Sequence, residues 1–298
     1  QMGEAPEKYM IESFEAIKNT NYFNGIEVTI VKDPVLRKKM ADLYKKNNFY
    51  VTFCAQPVQL INEDELIART DISSINEIDR GLAVDRMKKL MDEAYEIGAK
   101  AFCFLSGEDP GTENGTTSRQ MALRSIILSL KEMCKYNRQK AKTMKREPMK
   151  MTLEIFDRDE GNNMKNMFVG PSSTARLIGE EIKIDAGYEE FGLLYDISHM
   201  FLIRDGFEHE TPDVILHLKP FLNWAHVANS ISNHDEDLYG DMHPGMYHPE
   251  GNVTPDVLKN FYTALMEVDF KGGIGLEVMP YGDQLSESVM YNGIAAMK

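Results

Sequence analysis

The chain has 298 residues, 43% hydrophobic and 27% charged, a balance that supplies a sizeable core and excludes a disordered polypeptide. Acidic residues outnumber basic ones 47 to 33, a formal net charge of −14, which excludes a surface built to neutralise nucleic-acid phosphates. No apolar run approaches the ~20 residues of a bilayer-spanning helix, so a cytoplasmic protein with a small polar substrate, and no membrane or nucleic-acid partner, is expected.

In chain order, a helical pattern over 6–18 comes first, after a start at Gln1 rather than Met. Short apolar runs then alternate with longer amphipathic stretches, as in βαβ units round a parallel sheet. The strand-like runs are 25–31, 49–55, 100–105, 149–156, 193–197, either 214–218 or 224–228, and 273–278. Each is rich in β-branched, aromatic or other apolar residues, as strands buried on both faces must be. Between them, 78–97 shows helical spacing most clearly, with Val84, Met87, Leu90, Met91 and Ala94 at short helical steps. The basic stretch 138–146 falls at the end of another helix and reads as a solvated face. Cys54, Cys103 and Cys134 are too few and too scattered for a disulfide framework, which fits a reducing compartment.

Seven strands is one short of a TIM (β/α)₈ barrel, so on that α/β fold the first strand would precede Gln1. The other α/β solution, a doubly wound open sheet, needs a glycine-rich phosphate turn after an early strand, and the sequence has none. Gly272-Gly273-Ile274-Gly275 lacks that spacing and reads as turn chemistry leading into a strand. With no internal repeat and no Gly/Ser linker, residues 1–298 are expected to form a single domain. The longest irregular stretch, 230–252, has the length at which loops serve as lids or binding loops.

In a barrel the reaction site is built at the C-terminal ends of the strands, so polar residues that close apolar strands carry the most information. Glu154 stands in 149–156, Asp196 near the end of 193–197 with His199 three residues on, His226 in 224–228 and Glu277 in 273–278. A carboxylate within an apolar strand is costly to bury unless it is paired or binds a metal. Any one of these alone reads as a structural salt bridge or a satisfied core histidine; the same feature on four successive strands reads as a site. Three carboxylates and one imidazole make an oxygen-rich donor set suited to one divalent ion, Mn²⁺, Mg²⁺, Co²⁺ or Zn²⁺.

From Gly25 to the C-terminus the chain resembles the xylose isomerase-like TIM barrels, which include sugar-phosphate isomerases, D-tagatose and D-psicose 3-epimerases, inosose-processing enzymes and metal-dependent apurinic endonucleases. The resemblance is carried, in order, by Gly25-Ile-Glu-Val, Leu153-Glu-Ile, Asp196-Ile-Ser-His199, His226-Val, Asp241-Met-His243-Pro-Gly and Gly275-Leu-Glu-Val. It implies that Glu154, Asp196, His226 and Glu277 hold one metal, and that Glu154 and Glu277 exchange a proton with the substrate through an enediolate. It also implies that His199 approaches substrate oxygens or else orients Asp196, that Glu160 contacts the substrate, and that Glu27 makes a fold-supporting ion pair. Asp241 and His243 either help to close the site over the substrate or, as at the matching endonuclease positions, join His199 in holding a second metal.

Two departures narrow the reading. The endonucleases complete a metal cluster with two histidines from earlier strands, and the matching Phe53-Cys-Ala-Gln-Pro and Phe104-Leu-Ser-Gly have none, which argues against DNA cleavage. The arginine that ketose epimerases place after the metal histidine has no counterpart in 227–235, which argues against a ketohexose substrate but not against the metal site. The expectation is a metal-dependent isomerase or epimerase of a sugar, sugar acid or cyclic polyol. Dehydration of an inosose on the same site is the alternative, followed by a metal-dependent hydrolase and a non-catalytic sugar-binding barrel. Homo-oligomerisation is left open.

Overall fold

Helix starts are set locally where the sequence supplies a cap. In the computed structural model, which describes residues 6–61, 70–111, 117–158, 165–205 and 208–298, Asp33 accepts from the N–H groups of Val35 and Leu36 around Pro34. Thr254 likewise accepts from Val257 N beside Pro255, so both helices begin with a satisfied N-cap and a proline whose missing N–H costs nothing there.

The elements run α1 (Glu7–Asn19), β1 (Gly25–Val28), α2 (Pro34–Lys46), β2 (Tyr50–Cys54), α3 (Gln56–Leu60), α4 (Glu77–Glu96), β3 (Ala101–Phe104), α5 (Thr117–Met144) and β4 (Lys150–Ile155). They continue with α6 (Ser172–Gly179), β5 (Phe191–Asp196), the short pair β6 (Arg204–Asp205) and β7 (Glu208–His209), α7 (Val214–Leu218), β8 (Leu222–Val227), α8 (Pro255–Glu267), β9 (Gly273–Leu276) and α9 (Ser286–Ala296). Seven strands pair in the order β1-β2-β3-β4-β5-β8-β9, every pair parallel, and close into an α/β barrel one strand short. That sequential order excludes the doubly wound sheet, whose strand order reverses. Among the described residues no strand pairs with the outer edges of β1 and β9. A cavity of about 960 Å³ lies there, lined by both strands and by Ile17, Tyr262 and Met290 of the flanking helices.

Side chains alternate across the barrel wall, as the pleat requires. Phe53, Phe102, Leu153 and Leu193 point outward into the main core, while Cys103, Leu194 and Trp224 pack with Tyr50 and Cys54 as a separate cluster inside. All three cysteines are free, as expected.

Two sequence expectations change, and the glycines of β9 gain a reason. The run 214–218 is α7 and not a strand; the strand is β8, which carries His226. Gly273 and Gly275 lie within β9, inside the expected strand run 273–278. A Cβ on Gly273 would come within 2.2 Å of the Trp224 ring, and one on Gly275 within 2.9 Å of Glu27 Oε1 and His226 Cδ2, so these glycines make room for side chains crossing the barrel. The basic stretch is more than a solvated face, since Arg138 pairs with Glu190 at 2.7 Å and lies 4.5 Å over the Tyr188 ring.

Candidate metal centre

The register aligns Asp196 with His226 and His226 with Gly275, so successive strand ends deliver their polar residues at one level. Glu154, Asp196, His226 and Glu277 each offer a ligand atom, and these atoms all lie within 4.8 Å of one another. The first three are buried; Glu277, one residue beyond β9, keeps 40% of its side chain exposed and is the most accessible of the four.

The orientation of His226 follows from its partner. Glu27 Oε1 lies 3.0 Å from His226 Nε2, and because a carboxylate only accepts, Nε2 carries a hydrogen and Nδ1 is the nitrogen that faces the centre, its lone pair free once a cation displaces the proton there. Glu277 Oε2 approaches Nδ1 to 2.8 Å without the alignment of a hydrogen bond, and Asp196 Oδ2 has no hydrogen-bond partner among the described residues. A buried imidazole nitrogen and a buried carboxylate oxygen, both unsatisfied and facing one another at 4.0 Å, fit a divalent cation between them. Glu27 also accepts from Trp224 Nε1 at 2.7 Å, so the expected fold-supporting pair is in fact made with a candidate ligand. Replacing Glu27 by alanine is expected to weaken Mn²⁺ binding by about 10–100-fold. Isothermal titration checks this, and unchanged affinity would return Glu27 to a purely structural role.

Electrostatics separate the two glutamates. Burial pushes Glu154 up to about 7, although His199 and His226 pull it the other way. Burial also pushes Glu277 up, but His243 and His226 outweigh it and hold the carboxyl at about 2. Burial pulls the histidines down, yet the carboxylates around them dominate: His199 and His226 stay well above the ordinary range, and His243 is raised to about 10. Without a cation, protons on the imidazoles neutralise this cluster.

A pH dependence follows. For Glu154 the folded state binds its proton more tightly than the unfolded chain, so its contribution to stability is lost as pH rises from 4.5 to about 7. His243 contributes fully below 6.5 and loses its contribution as pH rises to about 10. Glu277 acts oppositely, contributing above 4.5 and losing its part as pH falls towards about 2. In chelator, the melting temperature is therefore expected to fall between about pH 5 and 9, and saturating Mn²⁺ to flatten that fall by replacing protons. Calorimetry with and without the metal measures it; identical slopes would remove the cation from this cluster.

His199 follows Asp196 in a 3₁₀ turn (His199–Leu202), but its hydrogen bonds do not orient that aspartate. Nδ1 donates to the Ile155 carbonyl at 3.1 Å, and Nε2 meets Asp241 Oδ1 at 3.0 Å. With acceptors on both sides the ring is an imidazolium when no cation intervenes. His243, at φ +46°, brings Nε2 to 2.8 Å from the same Asp241 oxygen, and its carbonyl accepts from Met279 N. The loop thereby delivers Asp241 and His243 to the barrel mouth, where Asp196, His199 and His243 form a second group with ligand atoms within 4.8 Å. Burial pushes Asp241 up, but the two histidines hold it well below the usual carboxylate range. Glu160 lies outside the described residues. Sequence reasoning missed Lys165, whose Nζ is 3.2 Å from Asp241 Oδ2, and Gln56, whose Nε2 donates to Glu154 Oε2 at 2.9 Å. The only signal for Gln56 was its place directly after a strand.

An α/β barrel one strand short, with a carboxylate–histidine cluster at the C-terminal ends of its strands, is the class that fold and geometry define. Residues 14–291 match the family of xylose isomerase-like TIM barrels, and the chain belongs to it. Among solved structures it is similar to the IolI protein with a bound zinc atom, at TM-score 0.68 and 12% identity over 96% of this chain and 90% of that one. A D-tagatose 3-epimerase-like protein gives 0.64 and 16% over 92% and 86%. The 3-keto-D-glucoside 4-epimerase YcjR from E. coli gives 0.62 and 13% over 100% and 96%. At these identities the likeness establishes the fold. No curated protein matches the chain by sequence.

Proposed function

We propose that the chain works as one domain and is a divalent-metal-dependent isomerase or epimerase of a sugar or sugar derivative, with Glu154 and Glu277 as the proton-transfer pair. The observation that carries this reading is the convergence of Glu154, Asp196, His226 and Glu277, with Asp196 Oδ2 and His226 Nδ1 left unsatisfied at their centre. These four residues would hold the ion. A divalent ion there supplies Lewis acidity, polarising a substrate carbonyl and making the neighbouring C–H more acidic.

The chain's own groups do the rest. Glu277, partly exposed, removes the proton from the carbon beside the carbonyl; Glu154, buried within the same cluster, returns one. Return to the other face gives epimerisation, and return to the neighbouring carbon gives isomerisation. His199 and His243, kept cationic by Asp241, offer charge to substrate oxygens at the mouth. The names of similar folds support this class: besides those above, they include a D-psicose 3-epimerase studied with D-fructose and an L-ribulose 3-epimerase.

The test is proton exchange with solvent. Purified protein supplied with Mn²⁺ is incubated in D₂O with D-fructose, D-tagatose, L-ribulose and inososes, and deuterium beside the carbonyl is followed by NMR. Chelator-sensitive exchange with at least one of them is expected. No exchange in metal-loaded protein would sink the enolisation mechanism.

A further inference from the structure

Gln56 opens α3 directly after β2, at the mouth of the barrel, and is 8% exposed. Its amide head is placed by one bond, Nε2 to Glu154 Oε2 at 2.9 Å. A carboxylate that holds a metal is ionised and only accepts, so the N–H group of Gln56 is the end that meets Glu154 and the amide oxygen is left without that partner. That oxygen, Oε1, is buried and has no hydrogen-bond partner among the described residues.

Gln59, on the same short helix, shows what a structural glutamine looks like here. Its Oε1 accepts from Leu105 N at 2.7 Å, and its Nε2 donates to the carbonyls of Leu105 and Thr70 at 3.0 and 3.3 Å. Both ends are satisfied and tie α3 to the neighbouring strand end. Gln56 is half satisfied, and its spare acceptor sits beside the candidate proton-transfer group. A buried acceptor without a partner, beside a reaction centre, fits a donor that arrives with the substrate.

We propose that Gln56 selects the substrate: its Oε1 accepts the hydrogen of a substrate hydroxyl next to the carbon served by Glu154, while its N–H holds the Glu154 carboxylate. The ligand class is a ketone bearing that hydroxyl, such as a ketose or a cyclic polyol ketone, and not its deoxy analogue. A site built to bond a hydroxyl rejects the compound lacking it because its own polar group is left unpaired. This inference rests on the assignment of Glu154 to proton transfer.

The experiment uses the full chain loaded with Mn²⁺. The probe is the fastest-exchanging ketose among D-fructose, D-tagatose and L-ribulose, together with its monodeoxy analogues. Wild type is compared with Gln56→Leu and with Gln56→Met, which keeps the length of the side chain should the first variant fold poorly. Wild type is expected to prefer the complete ketose over one particular monodeoxy analogue by about 30-fold or more in the kcat/KM of exchange. Both variants are expected to shrink that preference to about threefold or less, read at saturating Mn²⁺ so that a weaker hold on Glu154 does not enter the comparison. A preference that survives in the variants overturns the role of Gln56 and leaves the enolisation reading standing. So does an equal loss on every analogue, which would make Gln56 a support for Glu154 alone. If wild type binds Mn²⁺ but exchanges none of the ketoses, the enolisation reading fails and this inference with it.

Discussion

Replacing Glu277 by glutamine is expected to lower metal-dependent proton exchange by about 10²–10⁴-fold while leaving the fold intact. The fold survives because Glu277 stands beyond the end of β9 with 40% of its side chain exposed, and the buried rings beside it, His226 and His243, keep Glu27 and Asp241 as partners. Activity falls because the substitution removes the group held ionised at about 2 by His243 and His226, and glutamine cannot take a proton. Glu154 does not replace it, because the proposed reaction needs both glutamates, one to take a proton and one to return it, and both belong to the same four-residue cluster. The pair thus owes its division of labour to environment: one glutamate is buried, the other lies against two cationic rings. Exchange rates at saturating Mn²⁺ separate this from simple metal loss, since Glu277 is also a candidate ligand. A variant that retains exchange within about threefold at full metal occupancy would transfer the proton to another group.

The strands were legible because a parallel barrel buries them on both faces, so β5 reads as a nearly unbroken apolar run and β4 as one interrupted within its buried part by Thr152 and Glu154 alone. For the same reason Glu154, Asp196 and His226 stood out, each a polar residue in a run that should have none. Other features depend on contacts that spacing does not reveal. Glu27 meets His226 across 199 residues of chain, and Gln56 meets Glu154 across 98. The glycines of β9 looked like punctuation, yet their meaning lies in the Trp224 ring and the Glu27–His226 pair that occupy the missing Cβ positions. The run 214–218 was ambiguous because five apolar-rich residues satisfy a strand and a helical turn equally, and tertiary packing settles it as α7. His199 follows Asp196 by three residues, but a 3₁₀ turn carries its ring to Ile155 and Asp241 instead.

Replacing His226 by alanine is expected to abolish stoichiometric metal binding, with affinity for Zn²⁺ reduced by at least about 100-fold and affinity for Mg²⁺ reduced less. His226 is the nitrogen donor of the four-residue cluster, and its lone pair faces the centre because Glu27 holds the hydrogen on the opposite ring nitrogen. Imidazole matters most to zinc, whereas the three carboxylates that remain suit harder ions. The substitution also leaves Glu154, Asp196 and Glu277 crowded without the ring that offsets them, and Glu27 without its imidazole partner. Stranding buried carboxylates in this way costs ~3–5 kcal/mol, so the variant should melt earlier than wild type near neutral pH and recover part of the loss as the pH is lowered. His226→Gln, which retains a polar group facing Glu27, is the control for folding and should melt closer to wild type. Metal stoichiometry by elemental analysis and affinity by titration decide the matter. An undiminished ion in His226→Ala would move the metal towards the second cluster, Asp196 with His199 and His243, and detach it from the Glu154–Glu277 pair on which the proposed proton transfer depends.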